Sequence, residues 1–286
     1  MKGRTLPIII VSILLLAGIC VLAYPWFSNW YATRGDAKII KRYDETVSAL
    51  SEAQIKEEFD KAVRYNKRLD GALPLDPFSA EGPLPFDDYK DILDVNHDGV
   101  MGYLMIPKIK ANFPVYHGVT DEVLSHGIGH IPTTALPVGG KGTHSVLAGH
   151  RGMPGYELFT KLDVLRAGDI FQINILGQTL SYCVDDVSVV LPDKTDFLAP
   201  AADKDYVSLV TCTPLGINSH RLIVRGVRCA NPDPADTALK GNSGLSVWQK
   251  QTLIAGSITA AVMAGAIFII IAVRRKRRKE EDGHDS

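Results

Sequence analysis

The 286-residue sequence has few cysteines and almost no net charge. Its four cysteines are too few for a disulfide-dense scaffold. The 31 basic residues are balanced by 32 acidic ones, so the chain lacks the basic excess that is typical of nucleic-acid-binding proteins. Charged residues make up 22% of the chain and hydrophobic residues 46%, which excludes a disordered chain and provides the core of one or two domains.

Charge is also missing from two long runs near the ends of the chain. Residues 5–35 contain a single charge, Arg34, and positions 253–273 contain none before six consecutive basic residues. About 20 apolar residues can span a bilayer as a helix. We therefore predict an N-terminal membrane anchor at 1–30 and a C-terminal transmembrane helix at 253–273. A cleaved signal peptide is the alternative for the first run.

Basic residues beside these runs predict the orientation of the chain. Lys2 and Arg4 precede the first run, and the six basic residues at 274–279 follow the second. Basic flanks stay in the cytoplasm, so we expect both termini, including a tail at 274–286, to be cytoplasmic. Between the tails lie 23 of the 31 basic and 28 of the 32 acidic residues. The prediction is an acidic extracellular domain at the cell membrane, with the lipid bilayer as a partner.

The segment after the first anchor is predicted to be helical. Residues 31–70 place apolar side chains at roughly helical spacing. Ser51 and Gln54 have the spacing of a capping box, which predicts two helices divided near Leu50. The next segment, 71–87, is a predicted extended connector, because its prolines exclude both helix and central strand. These prolines are Pro74, Pro77, Pro83 and Pro85.

Residues 88–230 are predicted to form a mainly β domain. Short runs rich in Val, Ile, Leu and Tyr alternate with Gly and Pro. The predicted strands are 102–106, 111–116, 143–149, 170–175, 178–190, 206–211 and 222–228. Seven or eight such strands indicate a β-barrel or a sandwich, with one short helix within 155–165. A linker, 231–252, leads to the second membrane span.

Cys212 is a candidate nucleophile. It ends an apolar strand and precedes a turn that contains Pro214, Gly216 and Asn218, after which Arg221 enters the next strand. If the two strands pair as a hairpin, Cys212 and Arg221 face each other at its open end. A cation at that position favours the thiolate and can stabilise an oxyanion. A buried packing cysteine and a surface arginine are the alternative.

A cysteine nucleophile also needs a proton donor for its leaving amine, most often histidine. His150 is the candidate, because it ends a predicted strand between Gly149 and Gly152, which permit close approach. His144 begins the same strand, which suits a structural or surface role. The histidines between the two spans are His97, His117, His126, His130, His144, His150 and His220.

Several motifs occur together in a fixed order. They are GY at 102–103, IPKI at 106–109, LPVGGKG at 136–142, THSVLAGHRG at 143–152, LVTCTP at 209–214 and HRL at 220–222. In this combination the chain resembles the sortase family, and more narrowly the class C, pilin-polymerising sortases of Gram-positive bacteria. The resemblance extends over roughly residues 36–230. It implies a sortase-type closed β-barrel of about eight strands, with N-terminal helices, a lid loop and two flanking transmembrane helices.

The resemblance also implies a role for each candidate residue. Cys212 matches the nucleophile, His150 the general acid, and Arg221 the arginine that orients the substrate and its oxyanion. The implied reaction cleaves an LPXTG-like sorting signal between Thr and Gly through a thioacyl enzyme. A lysine of a neighbouring pilin then accepts the acyl group. Pilin subunits are the implied partners, and no cofactor or metal is expected.

Part of the proline-rich connector resembles the lid of class C sortases. The matching residues are Asp76, Pro77 and Phe78. The resemblance implies that Asp76 lies near Cys212 or Arg221 and that Phe78 covers the apolar part of the cleft. Such a lid must open before a substrate can enter. An ordinary linker is the alternative.

Smaller features give further expectations. Leu215 stands where many relatives carry an aromatic residue, and Met105 where many carry an acidic one. We expect Leu215 to alter which substrates the cleft accepts. Residues 94–99 copy the first half of a calcium loop, but Met105 occupies the twelfth position, so we expect a polar turn. A disulfide between Cys183 and Cys229 is possible, and two reduced packing thiols are the preferred interpretation.

Three alternative functions stay open at this point, one within the same family and two of other classes. A sortase that joins proteins to cell-wall peptide is the nearest alternative, and a cysteine hydrolase or a non-catalytic adhesin are more distant ones. The lid motif and the second anchor favour polymerisation. Products joined through an amine separate a transpeptidase from a hydrolase, and an adhesin retains its binding when the cysteine is replaced.

Overall fold

The chain divides into two compact units, Met1–Tyr24 with Gly244–Ser286, and Pro25–Ser243. The computed structural model describes residues 5–69, 76, 78, 84–231 and 256–257. The first unit is thus described by the start of its N-terminal helix and by two helical residues at 256–257. The second unit carries the strands and all candidate site residues.

Helix α1 (Thr5–Ala49) contains the first predicted anchor from residue 5 onward, and residues 1–4 lie outside the described residues. Within the described part of the chain, Ile13–Ala49 is the one helix long and apolar enough to cross a membrane, with a mean hydropathy of 1.5 in its most apolar window. The predicted orientation across the membrane stays a prediction. The second predicted span, 253–273, lies outside the described residues except for 256 and 257, as do the tail and nearly all of the linker.

Helix α2 (Glu52–Arg68) begins at the predicted capping box. The Gln54 backbone N–H donates to Ser51 Oγ at 3.3 Å, and the Ser51 backbone N–H donates to Gln54 Oε1 at 3.0 Å. The predicted division into two helices is therefore confirmed. Within the connector, Asp76, Phe78 and residues 84–87 are described, whereas Pro77 and Gly71 lie outside the described residues. A 3-10 helix, Asp87–Asp91, leads into the barrel.

Eight strands close into a barrel in the order β1-β2-β3-β4-β7-β8-β6-β5. They are β1 (Val100–Ile106), β2 (Ala111–His117), β3 (Ile128–His130), β4 (Thr143–Ala148), β5 (Ile170–Ile175), β6 (Gln178–Val190), β7 (Asp205–Thr213) and β8 (His220–Arg228). All seven predicted strands are present, and the barrel, not the sandwich, is confirmed. The prediction missed β3 and helix α3 (Asp121–His126), which are too short to show a clear hydrophobic period. The helix expected within 155–165 is a 3-10 helix, Leu158–Val164.

The end of α1 packs on the barrel as part of its core. Tyr43 is fully buried, and Ile40 and Val47 are buried beside it. The Tyr43 hydroxyl donates to the Met101 carbonyl at 3.0 Å and accepts from the Leu176 backbone N–H at 2.9 Å. The hydroxyl of this buried tyrosine therefore both donates and accepts a hydrogen bond, which fixes α1 between β1 and the end of β5.

A disulfide joins Cys183 in β6 to Cys229, the residue after β8. The preferred interpretation of two reduced thiols was therefore wrong. Antiparallel pairing of β6 and β8 sets Cys183 opposite Val227, so Cys229 lies two residues further on the same face. The resulting Cα–Cα distance of 5.8 Å permits the bridge. Local sequence could not show this, because β6 and β8 are separated along the chain by β7.

Candidate active site

Cys212 and Arg221 lie directly opposite each other on a hairpin. The antiparallel register of β7 and β8 pairs Cys212 with Arg221 and, one step nearer the turn, Thr213 with His220. The turn is closed by the backbone N–H groups of Ile217 and Asn218, which both donate to the Pro214 carbonyl at 3.0 Å. The predicted pairing of Cys212 with Arg221 across the hairpin is therefore confirmed, at the end that carries the turn, and the catalytic roles stay predictions.

His150 reaches the same end of the barrel because β4 and β7 are parallel. Their register pairs Ala148 with Val210, so His150 and Cys212 each lie two residues beyond a paired position. Gly149 keeps the strands together beyond that point. Its N–H donates to the Val210 carbonyl at 3.1 Å, and its carbonyl accepts from Thr211 Oγ1 at 2.7 Å. Neighbouring strands lie about 4.8 Å apart, which brings the imidazole and the thiol to one site.

Asp76 covers the cationic side of this site. Arg221 Nε and Nη2 donate to the two Asp76 carboxylate oxygens, each at 2.7 Å. The side chains are only 11% and 7% exposed, so this charge-assisted fork is shielded from water. Arg221 Nη1 donates to the carbonyls of Asn218 at 3.0 Å and His220 at 3.1 Å, which holds the guanidinium against the turn.

Phe78 covers the other side of the site. Its ring centroid lies 5.9 Å from that of His150, and the Arg221 Cζ lies 5.2 Å from the Phe78 ring. Asp76 and Phe78 thus contact Arg221 and His150 from one short segment of the connector. Pro77 between them lies outside the described residues. This is the placement that the resemblance to a lid implies.

The contacts of Asp76 and Phe78 leave the candidate nucleophile and the candidate acid in surroundings that favour their neutral forms. Burial raises the pKa of the Cys212 thiol, Arg221 opposes this, and the Asp76 carboxylate adds to the rise. Burial likewise lowers the pKa of His150. The hydrogen bonds from Arg221 to Asp76 raise the pKa of the guanidinium, so the arginine keeps its charge. Removal of the Asp76 charge would leave Arg221 free to favour the thiolate.

Two other histidines of the domain are structural. His144 is 3% exposed, and its Nε2 lies 2.9 Å from Ser208 Oγ. His130 lies 2.9 Å from the Tyr89 hydroxyl and, through its other nitrogen, 2.9 Å from the Ala135 carbonyl. Burial lowers the pKa of His130 to about 3 and that of His144 to about 4, so both are neutral. For His144 the structural expectation is confirmed and the surface alternative is wrong.

The predicted polar turn at 94–99 is held by its own carboxylate. Asp94 Oδ1 accepts from the backbone N–H groups of Asp98 and Gly99, both at 3.0 Å. Within the ranges that the structure describes, no group of three or more His, Cys, Asp or Glu side chains could hold a metal ion.

Sequence reasoning missed the contacts that surround Arg151 and Leu215. Arg151 donates to Thr213 Oγ1 at 3.0 Å and pairs with Asp163 at 2.6 Å. Gly152 has a φ of 73°, and a Cβ there would overlap the Leu215 side chain. Because Arg151 directly follows the candidate His150 in the sequence, its side chain could have been expected near the site. Neither partner could be identified without the tertiary structure.

Comparisons with known proteins agree with this fold. A family model described as the sortase domain matches residues 104–229. Sortase C of Streptococcus pneumoniae is 39% identical, with a TM-score of 0.63 and coverage of 69% of this chain and 99% of that chain. Sortase C-1 of Actinomyces oris is 43% identical, with a TM-score of 0.59 and coverage of 62% and 99%.

Curated relatives match over a shorter part of the chain. Sortase A of Bacillus anthracis is 32% identical over 127 residues, which are 44% of this chain and 59% of that protein. The chain spans between 38% and 63% of the length of the curated relatives that it matches. All four of these relatives are described as sortases. The chain belongs to the sortase family, and its structural neighbours are class C sortases.

Proposed function

We propose that this protein is a membrane-anchored cysteine transpeptidase that polymerises pilins. It would cleave an LPXTG-like sorting signal between Thr and Gly and transfer the acyl group to a pilin lysine. The observation that carries the proposal is the pairing of Cys212 with Arg221 beneath the Asp76 carboxylate. A thiol beside a buried cation suits nucleophilic attack on a carbonyl, because the cation stabilises both the thiolate and the oxyanion.

The first half of the reaction would form a thioester. After Asp76 leaves Arg221, the Cys212 thiol gives its proton to His150 and the sulfur attacks the Thr carbonyl carbon. The carbonyl oxygen becomes an oxyanion beside Arg221. The C–N bond then breaks while His150 returns the proton to the glycine nitrogen. The acyl group is left on Cys212, and the free amine departs.

The second half would form the isopeptide bond. A neutral lysine amine of a second pilin attacks the thioester carbon and loses a proton to His150. The C–S bond breaks, the sulfur leaves as a thiolate, and the imidazolium returns the proton to it. One amide has been exchanged for another, and both side chains regain their starting forms.

The structural neighbours support a pilin as the substrate. The pneumococcal sortase C is described in terms of its pilin substrate specificity, and one neighbour is sortase C1 of the Pilus Island 1 of group B Streptococcus (GBS). In this chain, the lid contacts of Asp76 and Phe78 support the same class. The apolar helix Ile13–Ala49 supports attachment to the cell membrane. The basic residues beside the two apolar runs support an orientation with the barrel outside the cell and both termini inside.

Trapping the acyl-enzyme tests the proposal. The full-length chain in detergent is incubated with a pilin that bears an LPXTG-like signal and with a second pilin as amine donor. We expect a covalent adduct on Cys212 by mass spectrometry and a ladder of lysine-linked pilins. Cys212→Ala abolishes both, whereas Cys20→Ser, the other free cysteine among the described residues, retains both.

The products separate the alternatives. A signal that ends in a free carboxylate identifies a hydrolase, and products joined only to cell-wall peptide amines identify the wall-anchoring sortase. Pilin binding that survives Cys212→Ala without any adduct in the wild-type protein identifies an adhesin. Each of these three results contradicts the proposed polymerisation.

A further inference from the structure

The loop that carries His150 is held by its backbone. Gly149 donates to the Val210 carbonyl at 3.1 Å, as described above. The His150 carbonyl accepts from the Phe159 N–H at 3.1 Å, and the Gly152 N–H donates to Thr160 Oγ1 at 2.9 Å. The loop is thus attached to β7 on one side and to the 3-10 helix Leu158–Val164 on the other.

Arg151 joins the same two elements through its side chain. Its Nη1 donates to Thr213 Oγ1 at 3.0 Å, one residue after Cys212. Its Nη2 donates to Asp163 Oδ2 at 2.6 Å on the 3-10 helix. The Arg151 side chain is 9% exposed, so the guanidinium is shielded from water, whereas the Asp163 side chain is 37% exposed and the carboxylate end of that pair is open to solvent. One planar guanidinium therefore connects the end of β7, the loop after β4 and the helix beside them.

The imidazole of His150 has no comparable support of its own. Among the residues that the structure describes, no side chain or backbone group forms a hydrogen bond with its ring. The ring contacts Phe78 of the lid, and the Asp121 carboxylate interacts with it electrostatically without a hydrogen bond. A catalytic histidine is usually oriented by a hydrogen bond from a third group. In this protein the distance between ring and thiol must therefore be set mainly by the loop and the strand end to which Arg151 is bound.

We propose that Arg151 is a positioning residue for the Cys212–His150 pair. By bridging Thr213 and Asp163, it fixes the end of β7 relative to the loop after β4, and so fixes the distance over which the proton passes between thiol and imidazole. The catalytic consequence rests on the proposed transpeptidase function. The geometry requires the planar fork of arginine, because a lysine ammonium is a compact charge that cannot hold Thr213 and Asp163 in the same way.

The variant Arg151→Lys tests this role while keeping the charge. We expect kcat for transpeptidation to fall about 10–100-fold with KM changed less than about twofold, because small misplacements of reacting groups cost rate rather than binding. Thr213→Val removes only the bridging hydroxyl and should also lower kcat. Thr213→Val combined with Arg151→Lys should be no worse than Arg151→Lys alone, because both remove the same bond.

Arg225→Lys is the matched control. Arg225 makes a similar fork to Asp185, with distances of 3.0 and 2.9 Å, at a position where β8 pairs with Ser208, away from the hairpin end. The midpoint of thermal unfolding should change about as much in Arg225→Lys as in Arg151→Lys. The kcat of Arg225→Lys should equal that of the wild-type protein. Wild-type kcat in Arg151→Lys overturns the proposal, and so do a loss confined to KM or an equal loss of kcat in Arg225→Lys.

A second readout does not depend on the substrate. The rate of Cys212 alkylation by iodoacetamide is measured against pH, and the midpoint of this profile reports the coupling between thiol and imidazole. We expect Arg151→Lys to shift the midpoint and Arg225→Lys to leave it in place. An unchanged midpoint in Arg151→Lys overturns the positioning role. Absence of any transpeptidation product in the wild-type protein contradicts the proposed function instead, and the alkylation profile still decides the role of Arg151.

Discussion

At the scale of single residues, one carboxylate blocks the cation of the candidate site. Asp76 occupies two of the donor groups of Arg221. Burial raises the pKa of the Cys212 thiol, and the Asp76 carboxylate adds to this rise. A peptide carbonyl that needs Arg221 must compete with a charged, nearly buried partner. In this arrangement Asp76 blocks access of a carbonyl to Arg221. Cys212 is also unreactive, since the thiol is a poor nucleophile compared with the thiolate.

Asp76→Asn should increase the reactivity of Cys212. The amide keeps the size of the carboxylate and removes its charge, so the pKa of the thiol falls and the thiolate fraction rises. We expect alkylation by iodoacetamide at neutral pH to be about 3–10-fold faster, since each pKa unit changes the thiolate fraction about tenfold.

Two further variants complete this test. Phe78→Ala uncovers the cleft and should also speed alkylation, whereas Asp193→Asn, which removes an exposed carboxylate, should have no effect. Alkylation of Asp76→Asn at or below the wild-type rate would show that Asp76 does not restrain the thiol.

At the scale of elements, the disulfide extends the pairing of β6 with β8 beyond the last strand residue. Cys229 is also bound through its backbone N–H, which donates to the Ser181 carbonyl of β6 at 3.0 Å. The bridge closes a loop of 46 residues that contains β7 and the whole hairpin with Cys212 and Arg221. A crosslink of this length restricts the unfolded chain substantially.

Replacement of both Cys183 and Cys229 by serine should lower the free energy of unfolding by about 2–4 kcal/mol. Guanidinium denaturation of the oxidised protein and the double variant measures the difference. Cys20→Ser lies outside the bridge and should leave the midpoint unchanged. Equal midpoints for wild type and the double variant would mean that the bridge does not contribute to stability.

The predictable elements are those whose signal is local. Seven strands could be predicted because their apolar runs are bounded by Gly and Pro. The pairing of Cys212 with Arg221 could be predicted because the two residues flank one turn. The Asp76 contact followed only from the resemblance to a lid. The disulfide and the Arg151–Asp163 pair depend on how distant segments meet in the barrel, and no local pattern encodes that.

At the scale of the whole second unit, α1 is hydrogen-bonded to the chain segment that follows the His150 loop. The Tyr156 hydroxyl donates to the Asp36 carboxylate, with distances of 2.6 and 2.7 Å to its two oxygens. Asn29 Oδ1 accepts from the Glu157 N–H at 2.9 Å. The helix is thus attached to residues that lie six and seven positions after His150.

Tyr156→Phe should destabilise the protein by about 1.5–3 kcal/mol, because it removes a hydrogen bond to a buried carboxylate and leaves that group unpaired. Guanidinium unfolding measures the change. Asp36→Asn retains an acceptor for the Tyr156 hydroxyl and should therefore lower the free energy of unfolding less than Tyr156→Phe does. An unchanged unfolding midpoint in Tyr156→Phe would contradict a stabilising role for this bond.

The two pairings that build the site differ in the length of chain that each must close. Cys212 and Arg221 are about nine residues apart, whereas Thr211 and Gly149, whose bond joins the two catalytic strands, are 62 apart. Closing the longer loop costs about 1.7 kcal/mol more in chain entropy. Nucleophile and cation can therefore meet early in folding, while His150 joins them only when β4 docks on β7. Under the proposed function, the candidate proton donor therefore reaches the candidate nucleophile after the hairpin has formed, so activity would require the docking of β4 on β7.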